Sequence, residues 1–174
     1  MALELRRLLQ EDDRSEFRSG NVDLDRFFQR YAGQNQFRHH IGTTYVAVED
    51  GTIAGFVTVT PSEIVAAELP VPRRRKLPPY PLPVLRLARL AVDERARGRG
   101  IGSTLLRAVF VLAHRLADEF GCLGVVVDAK PEAVPFYEKL GFIDLGARAG
   151  QLGDRPEPRP MFLELGAIPK PSAS

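Results

Sequence analysis

Hydrophobic residues recur along this chain with two different periods, and each period predicts a different kind of element. On either side of Asp50-Gly51, a favoured pair for tight turns, the β-rich runs Tyr45–Val48 and Ile53–Val59 predict a hairpin. Between Gly100 and Gly121 the apolar residues are spaced three or four apart, which predicts a helix bounded by these glycines. The apolar face of that helix is predicted to consist of Leu105, Val109, Leu112, Leu116 and Phe120.

Shorter runs of the same two kinds predict the remaining elements. Further strands are expected at Leu3–Leu8, Val84–Val92, Leu123–Val127 and Met161–Leu165. Helices are expected from Asp23 to Ala32, with Asn21 or Asp23 as the N-cap, and from Glu132 to Lys139. Strands followed by a strand–helix–strand–helix–strand order indicate one α/β domain with a mixed sheet.

Residues 61–83 form the least regular interior segment of the chain. Seven prolines exclude a continuous helix there and also exclude any central strand. The segment is either an ordered, substrate-facing excursion or a plain connection. These prolines are Pro61, Pro70, Pro72, Pro78, Pro79, Pro81 and Pro83.

The composition is typical of a globular protein, with 174 residues of which 44% are hydrophobic and 26% charged. One domain is expected over residues 1–168, with a disordered tail over residues 169–174. Cys122 is the only cysteine, so an internal disulfide and a cysteine-based metal cluster are excluded, and no metal site is predicted. The N-terminus lacks a signal-peptide pattern and no apolar run approaches the roughly 20 residues of a membrane span. We therefore expect a cytoplasmic protein without membrane association.

The net charge of +2 is small, but the positive residues are clustered. Arg73, Arg74, Arg75 and Lys76 form a cationic run, and five arginines follow between residues 86 and 99. Two interpretations are open, namely a solvated basic loop with helix-end arginines, or a surface for an anionic partner. Such a partner is a phosphorylated cofactor or a nucleic acid.

A glycine-rich turn joins the strand ending at Val92 to the helix that follows Gly100. Glycines let backbone N–H groups face a ligand, and a helix N-terminus favours an anion, so this turn is a candidate anion site. The phosphate-binding loop of nucleoside triphosphatases requires a lysine after the glycines, and none is present here. The dinucleotide pattern Gly-x-Gly-x-x-Gly fails as well, at Ser103 or at Leu105.

The remaining pattern, Arg97-x-x-Gly100-x-Gly102, resembles the pyrophosphate motif of the GCN5-related N-acetyltransferases, the GNAT family. Two further segments resemble that family in the same order: the strand Leu90–Asp93 before the loop, and the segment Ala133–Phe142 after it. The resemblance implies acetyl-CoA as acetyl donor, with the strand binding its pantetheine arm and the loop its pyrophosphate. The implied cofactor-binding residues are Leu90, Ala91, Val92, Arg97, Gly98, Arg99, Gly100, Ile101, Gly102, Ser103 and Phe136.

The same resemblance implies a fold and a catalytic residue. The fold is a central, mostly antiparallel sheet with one parallel strand pair opened by the cofactor cleft, flanked by helices. Tyr137 is the implied general acid, because a phenol with a pKa of about 10 remains a proton donor at neutral pH. Phe136 is also consistent with simple packing of its helix, the interpretation we prefer for it. No general base is evident, although Asp128, Glu132 and Glu138 are candidates.

Four further segments resemble one branch of the family, the bacterial toxins that acetylate aminoacyl-tRNA and are encoded beside a ribbon-helix-helix antitoxin. This branch implies aminoacyl-tRNA as substrate, that antitoxin as partner, and a homodimer. Arg73, Arg74, Arg75, Lys76 and Arg89 are then candidate tRNA-binding residues. The matching segments are Phe17–Asp25, Thr44–Val46, Leu87–Asp93 and Val127–Lys130.

Two alternative functions are compatible with the same cofactor motif. One is a GNAT enzyme that acetylates a small amine or a protein amino group. The other belongs to a different class, a CoA-binding scaffold without catalysis. The segment Arg148–Pro160 is longer than the toxin branch leads us to expect, so its role in a substrate cleft stays open.

Overall fold

The structure is a computed structural model that describes residues 2–146 and 158–170, with the side chain of Arg74 left undescribed. Most of the Arg148–Pro160 segment and residues 171–174 of the expected tail therefore lie outside the described residues. Two compact units make up the chain: unit 1 contains residues 1–60 and 87–109, and unit 2 contains residues 61–86 and 110–174. The expectation of one domain over residues 1–168 stays a prediction.

In the described part of the chain, seven strands form the sheet in the order β1-β2-β3-β4-β5-β7-β6. Neighbours are antiparallel in the pairs β1/β2, β2/β3, β5/β7 and β6/β7. Strands β4 and β5 are joined through a long helix, the kind of connection that a parallel pair requires. The predicted mixed and mostly antiparallel sheet with one parallel pair is confirmed. The strands are β1 Leu3–Arg7, β2 Thr43–Glu49, β3 Thr52–Ile64, β4 Leu82–Val92, β5 Gly124–Ala129, β6 Ile143–Asp144 and β7 Arg159–Glu164.

The predicted hairpin of unit 1 is present as β2 and β3. Asp50 and Gly51 both have positive φ, 51° and 77°, which is the backbone that a tight turn of the mirror-image type requires. The rings of Phe28 and Phe56 stack 4.3 Å apart beneath this sheet, and the ring of Phe17 meets them edge-on. These three buried aromatic residues form the centre of the unit 1 core.

The first helical segment is longer than predicted and is not a regular α-helix. It runs over residues 22–38 and begins as α1, Val22–Arg26, with the side chain of Asn21 accepting from Leu24 N as the N-cap. Two stretches, Phe27–Tyr31 and Gln34–Arg38, have π geometry, in which N–H groups donate to the carbonyl five residues back. A π turn places residues five apart on the same face of the helix.

Two further helices, α3 Ile101–Glu119 and α4 Val134–Lys139, lie close to their predicted positions. The short helix α2, Val71–Arg74, was not predicted. Gly121 ends α3 with a φ of 107°, as expected. Phe120, by contrast, is 82% exposed, so its assignment to the apolar face of α3 was wrong. It follows the last residue of the helix, where the helical period no longer fixes the direction of a side chain.

The exclusion of strands from the proline-rich segment was also partly wrong. β3 continues through Pro61, and β4 contains Pro83. The pairing of β3 with β2 ends at Val59, so Pro61 needs no N–H on that side. Pro83 is the second residue of β4, and its carbonyl accepts a hydrogen bond from Leu123 N at 2.8 Å. A proline is tolerated where only its carbonyl is used.

Unit 2 is built on the close pairing of β5 with β7. Gly124 faces Glu164 in this ladder, and a Cβ at Gly124 would lie 2.2 Å from the carbonyl oxygen of Leu163. The two strands can therefore approach each other this closely because Gly124 has no side chain. The buried apolar residues of this unit include Ile64, Leu69, Leu82, Val84, Val126 and Phe162.

Candidate functional site

The glycine-rich turn of unit 1 has the backbone of an anion-binding loop. Gly98 and Gly100 have φ values of 77° and 75°, and a Cβ on either would meet nothing within 4 Å. These glycines are therefore required by the backbone conformation and not by a lack of space. Helix α3 begins directly afterwards at Ile101, and the first N–H groups of a helix have no acceptor within it. The turn thus presents free N–H groups to open space.

The arginine side chains of this turn are held by other protein groups. Nη2 of Arg97 donates to the carbonyl oxygen of Ser19, and Nη2 of Arg99 forms an ion pair with Glu49. Both contacts join residues that are distant in sequence, which is why spacing alone did not predict them. The two arginines therefore hold the turn against the rest of unit 1, and the groups of the turn that stay open are those of the main chain.

Asp93 organises the residues between β4 and the turn. Its buried carboxylate accepts from the backbone N–H of Arg95 at 2.9 Å and from that of Arg18 at 3.1 Å, and it also pairs with the Arg95 guanidinium. Burial opposes ionisation, but these hydrogen bonds outweigh it and lower the pKa of Asp93 from 3.8 to about 2. Asp93 thereby joins the Phe17–Ser19 segment to the start of the turn.

We expect Asp93→Asn to destabilise the protein by about 2 kcal/mol at neutral pH, the free energy that corresponds to its pKa shift. A lowered folded-state pKa gives stabilisation that is full above the ordinary value and is lost as the pH falls from about 4 to about 2. Urea denaturation across that range measures the effect, and exposed Asp118→Asn is the control. Equal pH dependence of unfolding in Asp93→Asn and the wild type would contradict this role.

The end of β4 is packed closely against the start of α3 in unit 1. Ala91 is buried, whereas Leu90 and Val92 are half-buried. A Cβ on Gly55 in β3 would lie 3.1 Å from the carbonyl oxygen of Ala91 and 3.0 Å from Cγ2 of Ile101. Gly55 therefore permits the strand and the helix start to approach each other. The structure brings together the predicted strand Leu90–Val92 and the predicted loop, as a cofactor site requires.

A small cavity of about 130 Å³ lies beside Ala88 and Arg89, the residues of β4 that come directly before Leu90. The guanidinium carbon of Arg89 lies 4.5 Å from the centre of the Phe27 ring, a cation–π contact at the rim. The buried hydroxyls of Thr44 and Thr58 lie 2.7 Å apart in the lining of the cavity. Sequence reasoning singled out Arg89 but missed the cavity, whose walls come from five separate segments of unit 1. The other lining residues are Ala32, Asn35, Ile41, Gly42, Thr60 and Ala88.

Tyr137 is the buried phenol of unit 2. It lies in α4, and its ring packs edge-on against those of Phe136 at 5.2 Å and Phe142 at 5.3 Å. Burial raises the pKa of Tyr137 from 10 to about 12. The phenol is therefore fully protonated at physiological pH and available as a proton donor. The contact of Phe136 with Tyr137 agrees with the packing interpretation of Phe136.

The acidic candidates for a general base differ in their surroundings. Asp128, next to the end of β5, forms an ion pair with Arg86 at 2.8 Å. Glu132 and Glu138 are exposed. Neither the ion pair with Arg86 nor an exposed position distinguishes one of these three carboxylates as a base.

The described side chains of the basic run of unit 2 are exposed, and one of these three is paired. Arg73 forms an ion pair with Glu164, while Arg75 and Lys76 are exposed. The side chain of Arg74 lies outside the described part of the structure. Exposed cations of this kind are available to an anionic partner, although exposure alone does not identify one.

The other reactive residues have structural surroundings. Burial raises the pKa of the Cys122 thiol, and its Sγ donates to the carbonyl oxygen of Gly124. Nε2 of His114 lies 2.9 Å from the carbonyl oxygen of Ile168. Within residues 2–146 and 158–170 there is no group of three or more metal-binding side chains. Over the same residues no helix has the length and apolar character needed to cross a membrane.

Comparisons with known proteins agree on one family. The sequence profile of the acetyltransferase (GNAT) domain matches residues 40–144. The tRNA-acetylating toxin of Mycobacterium tuberculosis is 35% identical over 138 residues, which cover 79% of this chain and 82% of that protein. The structure of AtaT complexed with acetyl-methionyl-tRNAfMet is 25% identical, with a TM-score of 0.82 over 96% of this chain and 97% of that chain. A structure of AtaTR bound with AcCoA is 27% identical, with a TM-score of 0.74 over 95% of each chain.

Proposed function

The chain belongs to the GNAT acetyltransferase family, which makes it an acetyl-CoA-dependent N-acetyltransferase, and we propose that its acceptor is the α-amino group of aminoacyl-tRNA. The observation that carries this proposal is its 35% identity to a tRNA-acetylating toxin along most of both chains. Acetylation of that amino group removes the nucleophile needed to form a peptide bond. The protein would then act as a toxin that blocks translation.

We assign the pyrophosphate of acetyl-CoA to the main chain of residues 98–103. The left-handed glycines and the first turn of α3 supply N–H donors, and the space beside the glycines is open. Arg97 and Arg99 would act by holding this loop in place, because both guanidiniums are bound to protein oxygens. Backbone groups of Leu90–Val92 would bind the pantetheine arm. These assignments fit the geometry of unit 1.

Acetyl-CoA supplies an acetyl thioester, whose C–S bond breaks as the new C–N bond forms. A backbone N–H of Leu90–Val92 would stabilise the negative charge that develops on the carbonyl oxygen, a contact worth about 2.7–4 kcal/mol. Tyr137 would protonate the departing sulfur. The attacking nitrogen loses one proton as it becomes an amide, and this proton returns Tyr137 to its neutral form.

The chemistry of the acceptor explains why no base is evident among the described residues. The ordinary pKa of an α-amine is about 7.7–8.0, and esterification of its carboxyl group lowers that value further. A large fraction of the amine is then neutral at physiological pH and needs no base. A lysine side chain, with a pKa of about 10.4, would need a base.

The small cavity beside Arg89 and Phe27 is a suitable site for the reacting end of the acceptor. It adjoins Leu90 along β4, so an amine bound there is close to the strand assigned to the acetyl carbonyl. Its lining combines apolar side chains with the hydroxyls of Thr44 and Thr58 and carries no acidic residue. Arg89 is the candidate contact to a phosphate of the RNA, together with the exposed residues Arg75 and Lys76 of unit 2.

The proposal is tested by incubating the protein with ¹⁴C-acetyl-CoA and each of the aminoacyl-tRNAs in turn. We expect N-acetyl-aminoacyl-tRNA to form with at least one amino acid, and uncharged tRNA is the control. Labelling of small amines or proteins with no labelled tRNA would instead support the alternative acceptor class. Absence of transfer to any acceptor, with retained acetyl-CoA binding, would support a scaffold.

Two partners are part of the same proposal. We assign the chain a ribbon-helix-helix antitoxin that blocks its active site, and a homodimeric state, since both follow from its likeness to the toxin branch. Co-purification with the product of the adjacent gene tests the antitoxin. Sedimentation equilibrium of the isolated protein tests the dimer, and a mass of 19.3 kDa, that of one chain, would reject it.

A further inference from the structure

A second, wider cavity in unit 1 has no role in the function proposed above. Its volume is about 420 Å³, and it lies beside the second π stretch of the first helical segment. No acidic side chain is among its described lining residues, although the chain as a whole carries nearly equal numbers of acidic and basic residues. The lining consists of Gln10, Arg14, Gly33, Gln34, Phe37 and Arg38.

Arg14 is a half-buried cation that forms no ion pair among the described residues. Its Nη1 donates to the carbonyl oxygen of Phe28 at 3.0 Å, and no carboxylate lies in ion-pair range within the described residues. The two acids that precede it are engaged elsewhere, Asp12 with Arg6 at 2.8 Å and Asp13 with the Ser15 hydroxyl at 2.6 Å. Burial lowers the pKa of Arg14, and the nearby charge of Asp12 offsets this only in part.

Gly33 makes room for the Arg14 guanidinium against the helix. A Cβ at this position would lie 2.8 Å from Nη2 and 3.1 Å from Nη1 of Arg14. The φ of Gly33 is −65°, an ordinary helical value, so the backbone does not require glycine here. The absent side chain therefore serves the placement of the arginine.

Arg38 and Phe37 complete the cavity. Arg38 is exposed, is the last residue of the π stretch, and lies five positions after Gly33 on the same face. Its side chain has no ion-pair or hydrogen-bond partner among the described residues. Phe37 is half-buried against the core of unit 1, so its ring is fixed and one part of it lines the cavity.

We propose that this cavity binds one nucleotide of the RNA substrate, with its phosphate on Arg14 and Arg38 and its base against Phe37. The two arginines can bind the negative charge of a phosphodiester, and the fixed ring of Phe37 can stack on a base. The side-chain amides of Gln10 and Gln34 can each donate hydrogen bonds to the edge of the base and accept hydrogen bonds from it. An inorganic anion would use only the cations. This inference rests on the proposed tRNA substrate and adds a contact distant in sequence from the acetyl-transfer residues.

Charge reversal with a matched control on the same helical segment tests the proposal. Arg38→Glu removes the exposed cation of the cavity, and Arg30→Glu makes the same change of charge at an exposed position that does not line it. We expect Arg38→Glu to raise KM for aminoacyl-tRNA at least tenfold more than Arg30→Glu does. The slope of log KM against log salt should also fall by about 0.7–0.9, the value for one phosphate contact.

Gly33→Ala tests the placement of Arg14 without any change of charge. Alanine favours the helix, so the melting temperature should stay the same or rise. Its Cβ displaces the Arg14 guanidinium, and KM for aminoacyl-tRNA should rise severalfold. Weaker RNA binding in a protein that is not destabilised cannot be attributed to unfolding.

The outcomes separate this inference from the proposed function. If Arg38→Glu matches Arg30→Glu in KM and salt slope, and Gly33→Ala matches the wild type in KM, the inference is wrong while the acetylation of tRNA stands. If KM rises only for acetyl-CoA, the cavity belongs to the nucleotide of the donor and the inference is wrong. If the wild type acetylates no aminoacyl-tRNA, the nucleotide site is tested by fluorescence anisotropy with labelled tRNA. A weaker affinity for tRNA in Arg38→Glu than in Arg30→Glu supports the site, and equal affinities overturn the inference.

Discussion

Replacement of Tyr137 by phenylalanine is expected to lower kcat for acetyl transfer by roughly 100- to 10,000-fold, the usual contribution of a general acid. The substitution removes only the phenol oxygen, so the ring contacts with Phe136 and Phe142 are retained. KM for acetyl-CoA should change little, because the loss affects the departing sulfur and not the binding of the pyrophosphate. Steady-state formation of N-acetyl-aminoacyl-tRNA measures both constants.

The matched control is Tyr80→Phe, which removes a phenol that is 63% exposed in the same unit. Its kcat should equal that of the wild type. The pH profile gives a second check, since a phenol acts as an acid only below its pKa. With a pKa of about 12 for Tyr137, no loss of activity through its ionisation is expected up to about pH 11. Wild-type turnover in Tyr137→Phe would show that another group protonates the sulfur.

Gly124→Ala is expected to destabilise the fold by more than about 3 kcal/mol, at the upper end of the effects of single substitutions. The new Cβ would lie 2.2 Å from the backbone oxygen of Leu163 and 2.8 Å from the ring of Phe162. A backbone carbonyl within a ladder cannot rotate away as a side chain does. The pairing of β5 with β7 must therefore open at Gly124↔Glu164.

Thermal unfolding measures this effect, and a loss of about 3 kcal/mol corresponds to a fall in Tm of about 6–12 °C for a chain of this size. Gly166→Ala is the control in the same unit, because a Cβ there meets nothing within 4 Å and its φ is not positive. Its Tm should remain within about a degree or two of the wild type. Equal Tm values for both variants would mean that the β5/β7 ladder tolerates a side chain at Gly124.

Elements with a local signal were predictable from the sequence. The Asp50-Gly51 turn, the helix from Gly100 to Gly121 and the strand β4 each depend on residues within one short stretch. Their periodicity and turn residues are read without knowledge of the rest of the chain. Strand β6, with only the residues Ile143 and Asp144, is too short to show a period, and it was not predicted.

The candidate site was predictable in its backbone and not in its side-chain contacts. The left-handed glycines of the loop follow from the motif, but the bond of Arg97 to Ser19 joins residues 78 positions apart. No local pattern reports a contact of that kind. The capping role of Asp93 could have been predicted, because an aspartate directly after a strand and before a turn is a common N-cap residue.

The π geometry of residues 27–38 has a consequence for how this protein can change over evolutionary time. Phe27 and Ala32 both line the smaller cavity, and Gly33 and Arg38 both line the wider one, each pair five residues apart. A π turn holds one residue more than an α turn, so a single-codon deletion within either stretch can restore an α turn while the residues on both sides stay in register. Such a deletion would remove one residue from the widened turn and leave the rest of the fold in place. The lining of each cavity can therefore change through the loss of a codon as well as through substitution.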